Sequence, residues 1–173
     1  MGSVTTHPAS DVTTERLVLH PFTAAEARRV ATRAPVDGDS WHPEYPTDDE
    51  VDVLLLFTTD PTSPFTLYAI CERETNLAIG GIGFFGPPDA TGTVEIGYGL
   101  VPSAQGKGYA TEAVRAALLI AASNGAERVK ADTLPVNVAS QNVMLKAGFL
   151  EQHRTDETVY YAFEIGRELS TPR

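Results

Sequence analysis

A chain of 173 residues, 42 % apolar and 21 % charged, has the make-up of one globular domain with a sizeable core. Thirteen Lys and Arg against 23 Asp and Glu give a formal charge of −10, which argues against general affinity for nucleic acid or anionic membrane surfaces. The single cysteine, Cys71, excludes an internal disulfide framework and fits a reducing compartment; no apolar run approaches the ~18 residues of a membrane span, and Met1 to Thr14 lacks the basic and apolar regions of a secretory leader. The expectation is one cytoplasmic domain over residues 1–173, with residues 1–12 flexible.

Arg16-Leu17-Val18-Leu19-His20 alternates as a first strand, stopped by Pro21. Thr23, with Glu26 three residues on, is a capping box for a helix over 24–32. Thr47 with Glu50 is a second, for a helix over 48–57. Seven acids fall between Asp37 and Asp52, and no Lys or Arg occurs from 34 to 72. The only tryptophan, Trp41, lies in this acidic stretch near Tyr45, Pro43 and Pro46. Such a loop is either a substrate wall that attracts amines or a solvated loop whose tryptophan plugs the core. Strands are expected over 65–71 and 77–85. Gly80, Gly81 and Gly83 within the second imply a bulge or close backbone approach. A strand over 94–101 carries Gly97 and Gly99, which also suit a bulge. Beyond it come a helix over 110–123, a strand over 128–134, a helix over 138–147 capped by Asn137 and ended by Gly148, and a hairpin of 149–154 with 158–165.

Between the strand over 94–101 and the helix over 110–123 lies Gln105-Gly106-Lys107-Gly108-Tyr109-Ala110-Thr111. A glycine turn that opens a helix leaves backbone N–H groups unpaired, and the helix dipole adds positive charge there, so an anion such as phosphate is the natural guest. The Walker pattern fails, because Val101 stands where its first glycine belongs and Gly108 where Ser or Thr would bind magnesium. The dinucleotide pattern fails at Thr111, and a meander of strands precedes the turn where strands and helices should alternate. His7, His20, His42 and His153 are scattered without metal-ligand spacing, so no metal is expected.

Gln105-Gly106-Lys107-Gly108-Tyr109-Ala110 matches the signature of the GNAT superfamily of N-acetyltransferases: Gln or Arg, two residues, Gly, one residue, Gly or Ala. Glu95-Ile96-Gly97-Tyr98, Asn137-Val138-Ala139-Ser140 and Lys146-Ala147-Gly148-Phe149 follow the order and spacing of the branch that acetylates the N-termini of ribosomal proteins. The resemblance covers about residues 93–149. It implies an α/β fold with a mixed, mostly antiparallel sheet, helices on both faces, and a splay between the strands at 93–101 and 127–134. It implies acetyl-CoA as cosubstrate and direct transfer to a primary amine in a ternary complex. The acceptor would be a peptide N-terminus, an amino sugar, a polyamine or a small amine, and the acidic loop favours a cationic one. The pyrophosphate would be held by Gln105, Gly106, Gly108, Tyr109, Ala110 and Thr111, with Lys107 either a phosphate contact or a solvated side chain. Pantetheine would meet backbone near Leu100 and Val101, and Asn137 would bind pantetheine or only cap its helix. Glu95 is the expected base, with a rim carboxylate or ion-pair member as its alternative. Ser140 is the expected donor to the departing thiolate, since residues 137–149 hold no Tyr; its alternative is helix capping. Trp41, Tyr45 and Tyr98 are the expected substrate-side residues, with plain packing as the alternative for Tyr98. The rival from another class is a CoA-sensing module of the same fold without turnover.

Overall fold

The computed structural model describes residues 8–168. Eight strands form one sheet in the order β1 (Val12–Thr13), β2 (Leu17–Pro21), β3 (Leu67–Glu72), β4 (Ala78–Phe84), β5 (Thr93–Leu100), β6 (Arg128–Thr133), β8 (Val159–Glu164) and β7 (Leu150–Arg154). Every neighbouring pair is antiparallel except β5 with β6. The helices are α1 (Ala24–Ala31), α2 (Asp48–Leu56), α3 (Tyr109–Ser123), α4 (Val138–Lys146) and the short α5 (Ile165–Glu168).

Alternation sets the two faces. Leu17, Leu19, Ile70, Ile82, Phe84, Val94 and Ile96 share one face through the strand register, and none is more than 3 % exposed. α3 packs against β2, β4 and β5. It brings Ala113, Val114, Ala117 and Ala121 into the core at helical spacing. The other face carries Gly81 and Gly83 of β4 opposite Gly99 and Gly97 of β5. On that face Gly81, Gly83 and Gly97 make room for Glu50 of α2, Leu67 and Phe85, while a Cβ on Gly99 would meet nothing within 4 Å.

The caps form as the sequence predicts: Thr23 Oγ1 accepts from Glu26 N and Thr47 Oγ1 accepts from Glu50 N. Three expectations change. The pairing of β5 with β4 runs in unbroken register, so Gly97 and Gly99 make no bulge there; the register shift lies between β3 and β4, at Ile70 and Cys71. The glycines instead serve close approach. A Cβ on Gly80 would stand 2.1 Å from the Gly99 carbonyl oxygen, and one on Gly97 2.5 Å from Phe85 Cζ. Residues 1–7 of the expected flexible segment lie outside the described residues, whereas Val12 is already in a strand. The last strand ends at Glu164, and α5 takes Ile165, the final residue of the expected hairpin.

Candidate active site

β5 and β6 are in register for only three residues, Thr93 with Arg128, Val94 with Val129 and Glu95 with Lys130. From Ile96 onward β5 stays with β4, while β6 continues beside β8, so the sheet opens as a wedge. The wedge contains a cavity of about 700 Å³. One end is the glycine turn with the first residues of α3; the walls come from β4, β5, α2 and α4.

At the turn, Gly106 has φ +76° and Gly108 φ +84°. Both lie in the left-handed region, where a Cβ is strained. Gly108 caps the 15-residue α3 without a side-chain hydrogen bond. Among the described residues, the backbone N–H groups from Gly106 to Thr111 donate no hydrogen bond to protein. The turn therefore presents bare donors at a helix N-terminus, which fits a diphosphate. Arg16 supports it from outside. Its guanidinium donates to the Lys107 carbonyl (2.8 Å) and to Glu112 Oε1 (2.8 Å), and stacks 4.4 Å over the Tyr109 ring. Burial works against the Glu112 carboxylate, but bonds from Thr14, from the Arg16 backbone and from its side chain outweigh it and lower the carboxyl below its ordinary value. Gln105 Nε2 donates to the Leu100 carbonyl (3.1 Å), which ties the turn to the end of β5.

At the opposite wall, the Tyr98 hydroxyl lies 2.8 Å from Ser140 Oγ. Tyr98 is carried by β5 and Ser140 by α4, so the pair bridges the wedge. Burial raises the Tyr98 hydroxyl pKa, although its bond to Ser140 pulls the other way. The phenol therefore stays protonated and able to donate. Helix capping falls to Asn137, whose Oδ1 accepts from Ser140 N (3.0 Å), leaving the Ser140 hydroxyl to Tyr98.

The third feature is Glu50, which the sequence presents as a capping-box acid. Its backbone N–H makes that cap, but its carboxylate turns inward. Tyr45 donates its hydroxyl to Glu50 Oε1 at 2.7 Å. Oε2 is closed off from solvent and has no hydrogen-bond partner. A Cβ added to Gly81 would meet Oε1 at 2.7 Å, so glycine there makes room for the acid. Burial pushes the carboxyl up to about 7, against the opposing pull of the Tyr45 hydroxyl.

The cavity gathers Tyr98, Leu100, Gln105, Gly106, Gly108, Tyr109, Ala110, Thr111, Asn137 and Ser140 of the residues expected from sequence. It leaves out Glu95, Val101, Lys107, Trp41 and Tyr45. Glu95 shares the glycine face, at the closed end of the wedge, with Oε2 3.4 Å from Lys130 Nζ. Val101 is fully buried, and its N–H donates to the Ile79 carbonyl. Lys107 is exposed. Trp41 packs edge-on against Tyr45, with ring centroids 5.5 Å apart, so both stand behind Glu50. Much of the acidic segment is engaged within the fold. Asp39 is paired twice with Arg29, Asp48 meets Arg33, and Glu44 accepts from Ser103 just before the turn. Asp49 and Glu50 are its members at the cavity. Arg16 and Glu50 are the site residues that sequence reasoning passed over.

A wedge between parallel strands with a glycine turn of free donors at its mouth suits an elongated ligand that carries a diphosphate. Residues 16–150 match the family "Acetyltransferase (GNAT) domain", and the chain belongs to that family. Its members move an acetyl group from acetyl-CoA to an acceptor. The chain is 29 % identical over 126 residues to the "Uncharacterized N-acetyltransferase YjdG" of Bacillus subtilis (strain 168), covering 69 % of this chain and 75 % of that protein. Among solved structures, a probable GNAT-family acetyltransferase from Chromobacterium violaceum ATCC 12472 superposes with a TM-score of 0.71 at 25 % identity, over 98 % of this chain and 93 % of the other. A putative ribosomal-protein-serine acetyltransferase from Vibrio cholerae superposes at 0.63 with 19 % identity, over 91 % and 99 %. Among the described residues no helix is long and apolar enough to cross a membrane, and no cluster of His, Cys, Asp and Glu has the arrangement of a metal site.

Proposed function

We propose that the chain transfers acetyl from acetyl-CoA to a primary amine by direct attack within a ternary complex. One observation carries the reading: a single cavity joins the free donors of Gly106 to Thr111 to the Tyr98–Ser140 pair across the wedge. The turn holds the pyrophosphate by backbone N–H groups, and Gln105 fixes the turn to β5. Acetyl-CoA supplies an activated thioester whose sulfur leaves as a thiolate.

Ser140 gives that sulfur a proton and regains one from Tyr98, which answers the lack of any Tyr in residues 137–149. Asn137 fixes the start of α4 and so the placement of the Ser140 hydroxyl. The acceptor enters beside Gly99, where a Cβ would meet nothing within 4 Å, next to the Glu50 carboxylate over Gly81. Asp49 and Glu50 on the wall favour a cationic acceptor. A peptide N-terminus and a polyamine both meet that requirement. Free-thiol release on mixing with acetyl-CoA and an amine panel tests the proposal: Ser- and Ala-initiated peptides, spermidine and an aminoglycoside. Release with at least one amine, with acetyl recovered on its nitrogen, is the expected result. Thermal stabilisation by acetyl-CoA without release from any amine would leave a CoA-binding module and sink the transfer reading.

A further inference from the structure

We propose that Glu50 is the group that takes the proton from the acceptor's ammonium, a role resting on the transfer reading above. Three observations converge on it. Glu50 Oε2 is buried without a partner in the wall of the cavity that holds the Tyr98–Ser140 pair. A buried carboxylate oxygen without a donor is costly to keep and calls for an unmet ligand. Second, the carboxylate lies against Gly81, and Gly81 is in register with Gly99 of β5, two residues before the turn segment begins at Val101. A Cβ at Gly99 would meet nothing within 4 Å, so the strip beside the carboxylate is open on the β5 side. Third, the acid is positioned rather than loose. Tyr45 holds Oε1, and Trp41 packs on Tyr45 from behind.

The surroundings suit a base. Tyr45 faces the carboxylate from the preceding loop and Cys71 from β3; Asp49 of α2, Lys146 of α4 and Tyr98 of β5 share the cavity wall. No cation pairs with Glu50 among the described residues, so burial governs its titration and places it near 7. Glu95, by contrast, has Lys130 beside it and lies outside the cavity.

The proton count closes. The ammonium N–H bond breaks and its proton passes to the Glu50 carboxylate, whose Oε2 the arriving acceptor uncovers. The nitrogen lone pair so freed forms the C–N bond to the thioester carbon, and the C–S bond breaks with its electrons on sulfur. Sulfur takes one proton from Ser140, and the amide nitrogen returns its second excess proton to the Ser140–Tyr98 pair. Glu50 then releases its proton to solvent. One ammonium and one thioester have become one amide, one thiol and one proton.

The test is the pH dependence of kcat/KM for thiol release from about pH 5.5 to about pH 9, with the amine panel above, in wild type, Glu50→Gln, Glu95→Gln and Tyr45→Phe. Wild type is expected to rise with unit slope, reach half its limit near pH 7 and level off about one pH unit higher. Glu50→Gln is expected to lose that limb and roughly 10²-fold in kcat/KM, following only the free amine, while binding acetyl-CoA with wild-type affinity by calorimetry. Tyr45→Phe removes a bond that favours the carboxylate, so its limb moves to higher pH, a readout that stands even where Glu50→Gln misfolds. An unchanged limb in Glu50→Gln, or its loss in Glu95→Gln instead, overturns the assignment while transfer itself survives. No thiol release with any amine overturns the transfer reading, and this assignment with it.

Discussion

Replacing Glu50 by Gln is expected to stabilise the folded protein at alkaline pH. The carboxyl moves from an ordinary value of 4.5 to about 7 on folding, because burial penalises its charged form. In the unfolded chain it ionises freely above about 4.5; in the folded protein it keeps its proton until about 7. The folded state therefore binds more protons across that window, and this group's contribution falls as pH rises. It is intact below pH 4.5 and fully lost once pH passes 7. Moving the carboxyl from 4.5 to about 7 corresponds to about 3 kcal/mol at ~1.36 kcal/mol for each tenfold change in proton affinity. Gln keeps the size of Glu and can still accept from Tyr45, yet has no charge to bury. Urea unfolding at a series of pH values, without acetyl-CoA, measures the difference between the two proteins. The stability of Glu50→Gln relative to wild type should rise by about 3 kcal/mol from about pH 4 to about pH 8, a midpoint shift on the order of 10 °C if followed by heat. A difference that stays flat with pH would refute the burial argument, whatever the kinetics show.

Gly108→Val should reduce acetyl-CoA affinity by at least about 100-fold, because φ +84° is hostile to a β-branched residue and the side chain covers the free donors; unchanged affinity by calorimetry would remove the pyrophosphate from this turn. If Tyr98 and Ser140 act as one donor, Tyr98→Phe and Ser140→Ala each lower kcat by about 10²-fold and the double variant is no slower than Ser140→Ala; fully multiplicative losses would separate them. Arg16→Ala removes three contacts to the turn and should cost about 1–3 kcal/mol of stability together with a several-fold weaker acetyl-CoA Kd. A Kd equal to wild type would confine Arg16 to the scaffold.

What the chain shows without coordinates is what local chemistry fixes. Gly106 and Gly108 announce a turn with free donors because only neighbouring residues decide its conformation. Thr23, Thr47 and Asn137 mark helix starts for the same reason. The splay between β5 and β6 came from family resemblance, and the three-residue register bears it out. Glu50 was hidden because Thr47-x-x-Glu50 already has a sufficient local explanation, and nothing nearby in sequence reveals that its carboxylate faces inward over Gly81. Arg16 meets Glu112 across 96 positions and Tyr98 meets Ser140 across 42, distances at which no periodicity or spacing carries information. β1 spans two residues, too short for alternation to register.

The three-residue register of β5 and β6 makes the sheet two leaves bound along a short spine. Leaf one carries the glycine turn and Tyr98, and leaf two leads into α4 with Ser140. From Glu95 to Leu100 the free edge is about 17 Å long at ~3.4 Å per residue. Opening the leaves by ~5° at the spine displaces their free edges by about 1.5 Å, enough to part the Tyr98 and Ser140 hydroxyls, and misplacements on the order of 1 Å cost about 100-fold in rate. The Glu95–Lys130 ion pair sits on that spine, so a residue far from the reacting atoms acquires leverage over them through the angle it helps to set.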